Sequence, residues 1–508
     1  MAKRKRNDPT NGTSEAKPAS TKKPRAESPS TTTSTATEVY DRKKPADAVA
    51  DTETFTIQIV AGSYDRILHG ITAVVGPETV SFADTFLFNA HISAIRALSL
   101  SPISPPIPGQ GQKVFLVSGS TDEKINVYSL SAHPPGARDK EAQSDLLGLT
   151  PRPVLESKGN REVGALHHHE GGITSLTFPS RGKLLSAGED SCIAVTRTRD
   201  WSLLSKIKAP VPAAVGRPSG DTAAYRGTPS GVNHFAVHDS LKTMISVSKG
   251  EKCMRLWNLV TGKKAGVLNF DRTLLRDVGE GKYSSGEGRK VAWGKSEGGG
   301  DEFAVAFDRD VAVFGEDAVA RCRLMGDIKT KVHEISYVSA GADGKGPSLL
   351  AVSTDDGRVL FFSTRPEDLV QPKKAEGEKE DDDEDRLPSA KLVAAVGGRE
   401  AGVTSRIKDF TIIRRTTGGE ETLYVIGGSS DGNIRIWRVG KAELLEAARK
   451  GKGTKEVGRL LATYGTQNRI TCVEAFEMIP RPEGVEESED EGEDWEDEES
   501  DEDEDEED

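Results

Sequence analysis

One short pattern recurs through the middle of this 508-residue chain: a pair of small residues, an acid, then apolar residues three, five and six places later. GSTDEKINVY has Asp122 followed by Ile125, Val127 and Tyr128, and AGEDSCIAVT has Asp190 followed by Ile193, Val195 and Thr196. SKGEKCMRLW sets Glu251 before Met254, Leu256 and Trp257, and AFDRDVAVF sets Asp308 before Val311, Val313 and Phe314. STDDGRVLFF and SSDGNIRIW repeat the unit from Asp356 and Asp431. A Gly/Ser/Asp cluster makes a tight turn, and the alternation behind it marks a strand with one buried face, so each unit is a hairpin. Once-per-unit recurrence makes Asp122, Asp190, Asp308, Asp356 and Asp431 structural turn acids rather than catalytic ones.

Each hairpin has a strand before it (ISAIRALSLS, GGITSLTFPS, GVNHFAVHDS, RKVAWGK, TKVHEISYV, TSRIKDFTII) and a strand after it, as in SLLSKIKA, KAGVLNF and GRLLATY. A four-stranded unit of this kind cannot bury both faces alone and must stack on its neighbours. The units resemble the blades of WD-repeat β-propellers. His91, four before Ile95, and His169, four before Ile173, stand where that family places the His of its Gly-His pair. The Trp-Asp dipeptide is absent, Trp257-Asn258 and Trp437-Arg438 standing in its place.

AGSYDRILHGITA, from Ala61 to Ala73, has a turn acid, Asp65, but no strand before it except about fifty residues rich in Ser, Thr, Lys and Pro. Its partner is expected in NRITCVEAF, Asn468 to Phe476, a first strand with no turn behind it. The expected fold is therefore all-β: a seven-bladed WD40-type β-propeller closed by N- and C-terminal strands sharing one blade, a closure that removes open edges. It spans residues 52–477, with long loops at about 133–160, 209–230, 366–388 and 441–457. Residues 1–51 form a basic arm and 478–508 an acidic tail, both expected to be disordered.

A closer resemblance runs along the whole propeller: AGSYD with Leu68 to Gly70, Ala90-His91, SGS-x-DE at Ser118 to Glu123, LHHH-x-G-x-IT at Leu166 to Thr174, RLWNLV-x-G at Arg255 to Gly262, and SSDG-x-I-x-IW at Ser429 to Trp437. This string is similar to the nucleolar family that contains a fungal killer-maintenance factor and an animal PAK-interacting WD-repeat protein. The resemblance implies a non-enzymatic scaffold in the nucleus and nucleolus that assembles pre-60S particles during large-subunit biogenesis and rRNA maturation. Its implied partners are assembly factors, ribosomal proteins and precursor rRNA. Two alternatives differ in class: an adaptor that binds and inhibits a p21-activated-type kinase, and an acidic-tailed histone-binding chaperone.

Charge is segregated. The segment from Glu483 to Asp508 holds 20 acidic residues and no Lys or Arg, so removing −20 from the net −13 leaves +7 on the rest. In the arm, Lys3, Arg4, Lys5, Arg6 and Lys22, Lys23, Arg25 resemble a bipartite nuclear import signal. No apolar run approaches the roughly 18 residues a membrane span needs, and no membrane or small-molecule partner is expected; the chain is expected to be monomeric within a large particle. No Walker loop, G-x-S-x-G elbow or H-E-x-x-H helix occurs, so no catalytic residue or cofactor is expected. Four scattered cysteines offer no C-x-x-C pair, and adjacent His167, His168 and His169 cannot converge on one ion if they lie in a strand, so no metal is expected. The turns and the loops entering each inner strand meet on one face of a propeller, where Arg66, Arg289, Lys290, Arg309, Lys329, Lys331, Arg406 and Arg469 are expected to form a basic rim for phosphate or an acidic partner.

Overall fold

In the computed structural model, the described residues are 54–482 except 136–156, 158, 212–229, 282–283, 297, 325–328, 340–347, 372–385, 418 and 451–454. They form a seven-bladed β-propeller. Blade 7 opens the chain with β1 (Phe55–Ser63), β2 (Ile67–Val75) and β3 (Val80–Asn89). Blade 1 is β4 (Ile95–Leu100), β5 (Lys113–Ser120), β6 (Ile125–Ser131) and β7 (Arg161–Leu166); blade 2 is β8 (Ile173–Ser180), β9 (Lys183–Gly188), β10 (Cys192–Arg197) and β11 (Leu203–Lys208). Blade 3 is β12 (Val232–Val237), β13 (Thr243–Ser248), β14 (Cys253–Asn258) and β15 (Lys263–Asn269), followed by the short helix α1 (Arg272–Asp277). Blade 4 is β16 (Lys290–Lys295), β17 (Asp301–Ala306), β18 (Val311–Gly315) and β19 (Ala320–Leu324). Blade 5 is β20 (Val332–Ser339), β21 (Ser348–Thr354), β22 (Arg358–Ser363) and β23 (Lys391–Gly397). Blade 6 has β24 (Ile407–Thr417), β25 (Glu420–Ser429), β26 (Asn433–Gly440), helix α2 (Lys441–Lys450), the two-residue β27 (Lys455–Glu456) and β28 (Arg459–Gly465). The closing strand β29 (Ile470–Glu477) then pairs with β1.

Ring closure follows the sequence expectation. Sheet order β29-β1-β2-β3 makes one blade from both ends of the ring, with Ile57 opposite Glu477 and Ser63 opposite Ile470. Seven apolar clusters hold the ring, one between each pair of neighbouring blades. Between blades 6 and 7, Ile426, Ile434 and Ile436 pack against Ile59, Ile71 and Val473. At about 1.5–3 kcal/mol for each fully buried aliphatic or aromatic side chain, these shared cores exceed what one sheet could gain alone.

One expected loop is ordered as structure. Within 441–457, α2 supplies its own apolar stripe, and Leu444 and Ala447, three apart, bury in the cluster between blades 5 and 6. Behind it, β27 pairs parallel to β23 through Ala394 and Ala395. The loops at 133–160, 209–230 and 366–388 are described only at their ends, and the basic arm, its import signal and the acidic segment from residue 483 lie outside the described residues.

Candidate functional site

Hairpin turns within the blades and the loops that enter the inner strands share one face, and a repeated backbone bond ties them together. In blades 1 to 3 and 5 to 7 the carbonyl just before the inner strand accepts an amide from the neighbouring turn: Thr121 to Ala94, Glu189 to Gly172, Lys249 to Gly231, Asp355 to Lys331, Ser430 to Arg406 and Tyr64 to Arg469, at 2.8–3.2 Å. Since only the carbonyl is used, the side chain at this position is free to vary. Blades 1 to 3 place Ala94, Gly172 and Gly231 there, whereas blades 5 to 7 place Lys331, Arg406 and Arg469.

Below this layer, the turn acids brace the hairpins by two different chemistries. In blade 1, Asp122 accepts the Ile92 and Lys124 amides at 3.1 and 3.2 Å and lies 3.1 Å from His91 Nδ1, while His91 Nε2 lies 2.8 Å from Ser118 Oγ. Blade 2 repeats the arrangement with Asp190, His169 and Ser186. Burial alone would raise Asp190, but the His169 bond and backbone amides outweigh it and hold the carboxyl down at about 2. Burial lowers the His91 pKa despite Asp122, keeping the ring neutral at physiological pH. Blades 5 and 6 use arginine instead: Arg358 Nη2 lies 2.6 Å from Asp356, and Arg435 Nη2 lies 2.8 Å from Asp431. In blade 3, Glu251 pairs with Arg255. Asp65 of blade 7 accepts the Arg469 amide at 3.2 Å.

Asp308 departs from the expectation for turn acids. Its blade 4 turn is tighter, with Ala306 directly opposite Val311, so the acid points outward. There it gathers Arg289, Lys331 and Arg309 at 3.1, 3.4 and 3.6 Å. Asp310 is the buried acid of this turn, and burial pushes it up to about 8.

The expected basic rim divides into three groups. Arg289, Arg309 and Lys331 surround Asp308; Lys331, Arg406 and Arg469 surround Lys408; Arg66 and Lys329 are exposed without joining either. Lys290 is not on the rim: as first residue of inner strand β16 it points into the central channel and pairs with Glu334. Among the described ion pairs, Arg289, Arg309, Lys331 and Arg406 meet only two carboxylates, Asp308 and Asp355.

Lys408 is the centre of this crescent. Burial, then Arg406, lowers its pKa to about 8, with Lys331 and Arg469 acting in the same direction and Asp355 opposing. Its Nζ lies 3.5 Å from His333 Nδ1, and His333 Nε2 lies 3.0 Å from Asp355. Desolvation holds His333 down at about 4, so the neutral ring can accept from Lys408 and donate to Asp355. Beside the crescent, Arg469 covers the Tyr64 ring at 5.3 Å, and Tyr64 is 58% exposed.

The channel within has a volume of about 330 Å³ and is lined by all seven inner strands. Aligning them by register puts Ala97, Ser175, His234, Lys290, Glu334, Asp409 and Cys472 in one layer. Charge therefore occupies one side, with Glu474 deeper in the channel. Burial and the neighbouring Glu334 raise Asp409, while burial and Asp409 push Glu474 up to about 8. No group of three His, Cys, Asp or Glu suited to a metal ion occurs among the described residues. His167, His168 and His169 follow β7 rather than lying in a strand, and only His169 is fully buried. All four cysteines are free and buried.

The WD domain, G-beta repeat family matches residues 160–195, which run from β7 through the Asp190 turn into β10. With seven blades closed by a shared sheet, that match decides the architecture. The fold is that of a WD40-type β-propeller. Similarity extends well beyond one repeat. Protein MAK11 of Saccharomyces cerevisiae is 27% identical over 451 residues, covering 84% of this chain and 84% of that protein. Two p21-activated protein kinase-interacting protein 1-like sequences are each 23% identical: that of Xenopus laevis over 85% of both chains, and that of Danio rerio over 82% of this chain and 80% of its own.

Within this WD-repeat propeller, the Asp122–His91–Ser118 chain has the connectivity of a hydrolytic triad. Ser118 is 0% exposed, however, and the same chain recurs in blade 2, so it serves as a brace for the turn. Reading the turns one by one does not single out Lys408, His333, Glu334, Asp409 or Glu474. Their signal was the pair of columns two and three residues after each entering loop residue, with Glu474 two residues further along its strand, visible once the inner strands are aligned.

Proposed function

We propose that this WD-repeat propeller is a non-enzymatic scaffold of nucleolar pre-60S particles, acting in large-subunit assembly and rRNA maturation, and that it docks through the turn face of blades 5 to 7. The observation that carries the reading is the crescent of Lys331, Arg406, Lys408 and Arg469, where cations outnumber nearby carboxylates on a face that the backbone does not require to be charged. The family-wide string of motifs gives the crescent its context, and the basic arm with its import-like clusters fits nuclear work.

Affinity purification of the full chain from nuclear extract, read for RNA and protein, tests this. Precursor rRNA of the large subunit with assembly factors is the expected recovery. A p21-activated-type kinase without precursor rRNA would favour the adaptor reading that the names of two relatives suggest, and histones alone would favour a chaperone. Either result would overturn the particle assignment.

A further inference from the structure

We propose that the mouth of the channel at blades 5 to 7 is a subsite for single-stranded RNA, in which Lys331, Arg406, Lys408 and Arg469 hold a backbone phosphate and Tyr64 stacks an adjacent base. This rests on the reading of that face as the docking face and goes further by naming the ligand and the contacts.

Four observations converge. First, the cations occupy equivalent places: Lys331, Arg406 and Arg469 each immediately precede an inner strand in consecutive blades, and Lys408 is the second residue of β24. Three consecutive blades thus bring cations within electrostatic reach of Lys408, and a phosphate with several acceptor oxygens suits such a set of donors. Second, Lys408 is half-buried among like charges, and among the described residues its hydrogen bond is a long one, 3.5 Å, to neutral His333. Nothing in the fold needs that ammonium, because blades 2 and 7 carry Thr174 and Thr471 at the same position, and a desolvated cation held among cations is a cost that a bound anion would relieve. Third, Asp355, the carboxylate that acts on Lys408, is already engaged by His333 at 3.0 Å and Arg406 at 3.8 Å. Fourth, Arg469 joins the crescent to an exposed aromatic ring, since its guanidinium lies over Tyr64. A cationic groove beside an aromatic platform is the arrangement that tracks a single strand, with phosphates held by charge and bases by stacking. A phosphorylated side chain would use the cations but give no role to Tyr64.

The test is fluorescence anisotropy of a labelled short single-stranded RNA with the full-length chain, titrated at several salt concentrations. Lys408→Met should fold with an unchanged or higher Tm, bind at least about tenfold more weakly, and show a salt slope shallower by about 0.7 for one lost phosphate contact. Tyr64→Ala should weaken binding about fivefold or more at an unchanged salt slope. Lys331→Ala and Arg406→Ala, both at the surface, serve as second variants should Lys408→Met fail to fold. Wild-type affinity in all of these variants would overturn the subsite, as would binding of a phosphopeptide by a chain that binds no RNA. Loss of RNA binding in the variants supports it even if the wild-type chain recovers no precursor particle. Recovery of the particle by a chain that binds no isolated RNA overturns the subsite and leaves the assembly reading in place.

Discussion

Blades 1 to 3 and blades 5 to 7 present the same backbone at the turn face and opposite side chains. In both halves a carbonyl before the inner strand accepts a turn amide, but the residues carrying it are Ala94, Gly172 and Gly231 in one half and Lys331, Arg406 and Arg469 in the other. The fold fixes the carbonyl and leaves the side chain to function. Space reinforces the contrast. A Cβ on Gly231, whose φ is +122°, would stand 2.8 Å from Glu189 Cα, so blade 3 cannot simply acquire the side chain that blades 5 to 7 carry there.

The halves also brace their turns differently, and breaking each brace should give unequal losses. Removing Asp431 leaves the buried Arg435 guanidinium without its counter-charge, so Asp431→Ala should cost about 3–5 kcal/mol. Removing Asp122 leaves only a neutral His91 and unpaired amides, so Asp122→Ala should cost about 1–3 kcal/mol. Denaturant unfolding of the two variants checks the order, and equal losses would contradict it.

Exchanging residues between halves is the next test. Gly231→Arg should destabilise by about 2–4 kcal/mol, combining positive-φ strain with the close approach to Glu189. The reverse change, Lys331→Gly, should stay near about 1 kcal/mol. Similar Tm shifts for the two would mean that the halves are not differently constrained.

A smaller effect comes from the channel, whose ionisable side is formed by Lys290, Glu334, Asp409 and Glu474 of blades 4 to 7. The folded state raises the pKa of Glu474 to about 8 and raises Asp409, so between the ordinary carboxylate range and pH 8 the folded chain binds more protons than the unfolded one. Stability should therefore fall as pH rises from 6 to 8, by about 1 kcal/mol because water reaches the channel, and Glu474→Gln should flatten this slope. Thermal unfolding across that range is the check. At lower pH the sign reverses for Asp190 and Asp431, whose depressed values make their contribution disappear as pH falls below about 4.

The smallest expected change in stability accompanies the largest in association. Lys331→Ala, Arg406→Ala and Arg469→Ala together should shift unfolding by about 0.5 kcal/mol per site or less while releasing the chain from large-subunit precursors. Undiminished co-sedimentation of a folded triple variant would place the docking surface elsewhere.

Much of the architecture was legible in the sequence because a propeller writes the same local chemistry once per blade. The Asp turns, His91 and His169, and the orphaned hairpin at Ala61 to Ala73 that pairs with Ile470 to Glu477 were all readable from short-range pattern. Other features depended on turn length or on packing across the ring. One residue fewer in the blade 4 turn sends Asp308 outward and buries Asp310, a difference that composition does not reveal. Lys290 looks like a loop cation until β16 is seen to begin with it, which turns it toward Glu334. Lys408 gave no local signal because its meaning lies in Lys331 and Arg469, brought from the two adjoining blades.

The most direct measurement is a structure of the chain bound to its purified precursor particle. The account predicts RNA backbone against Lys331, Arg406, Lys408 and Arg469, with blades 1 to 3 contributing little at the turn face. Contacts confined to blades 1 to 3, or to the face on which β1 begins and β29 ends, would contradict it.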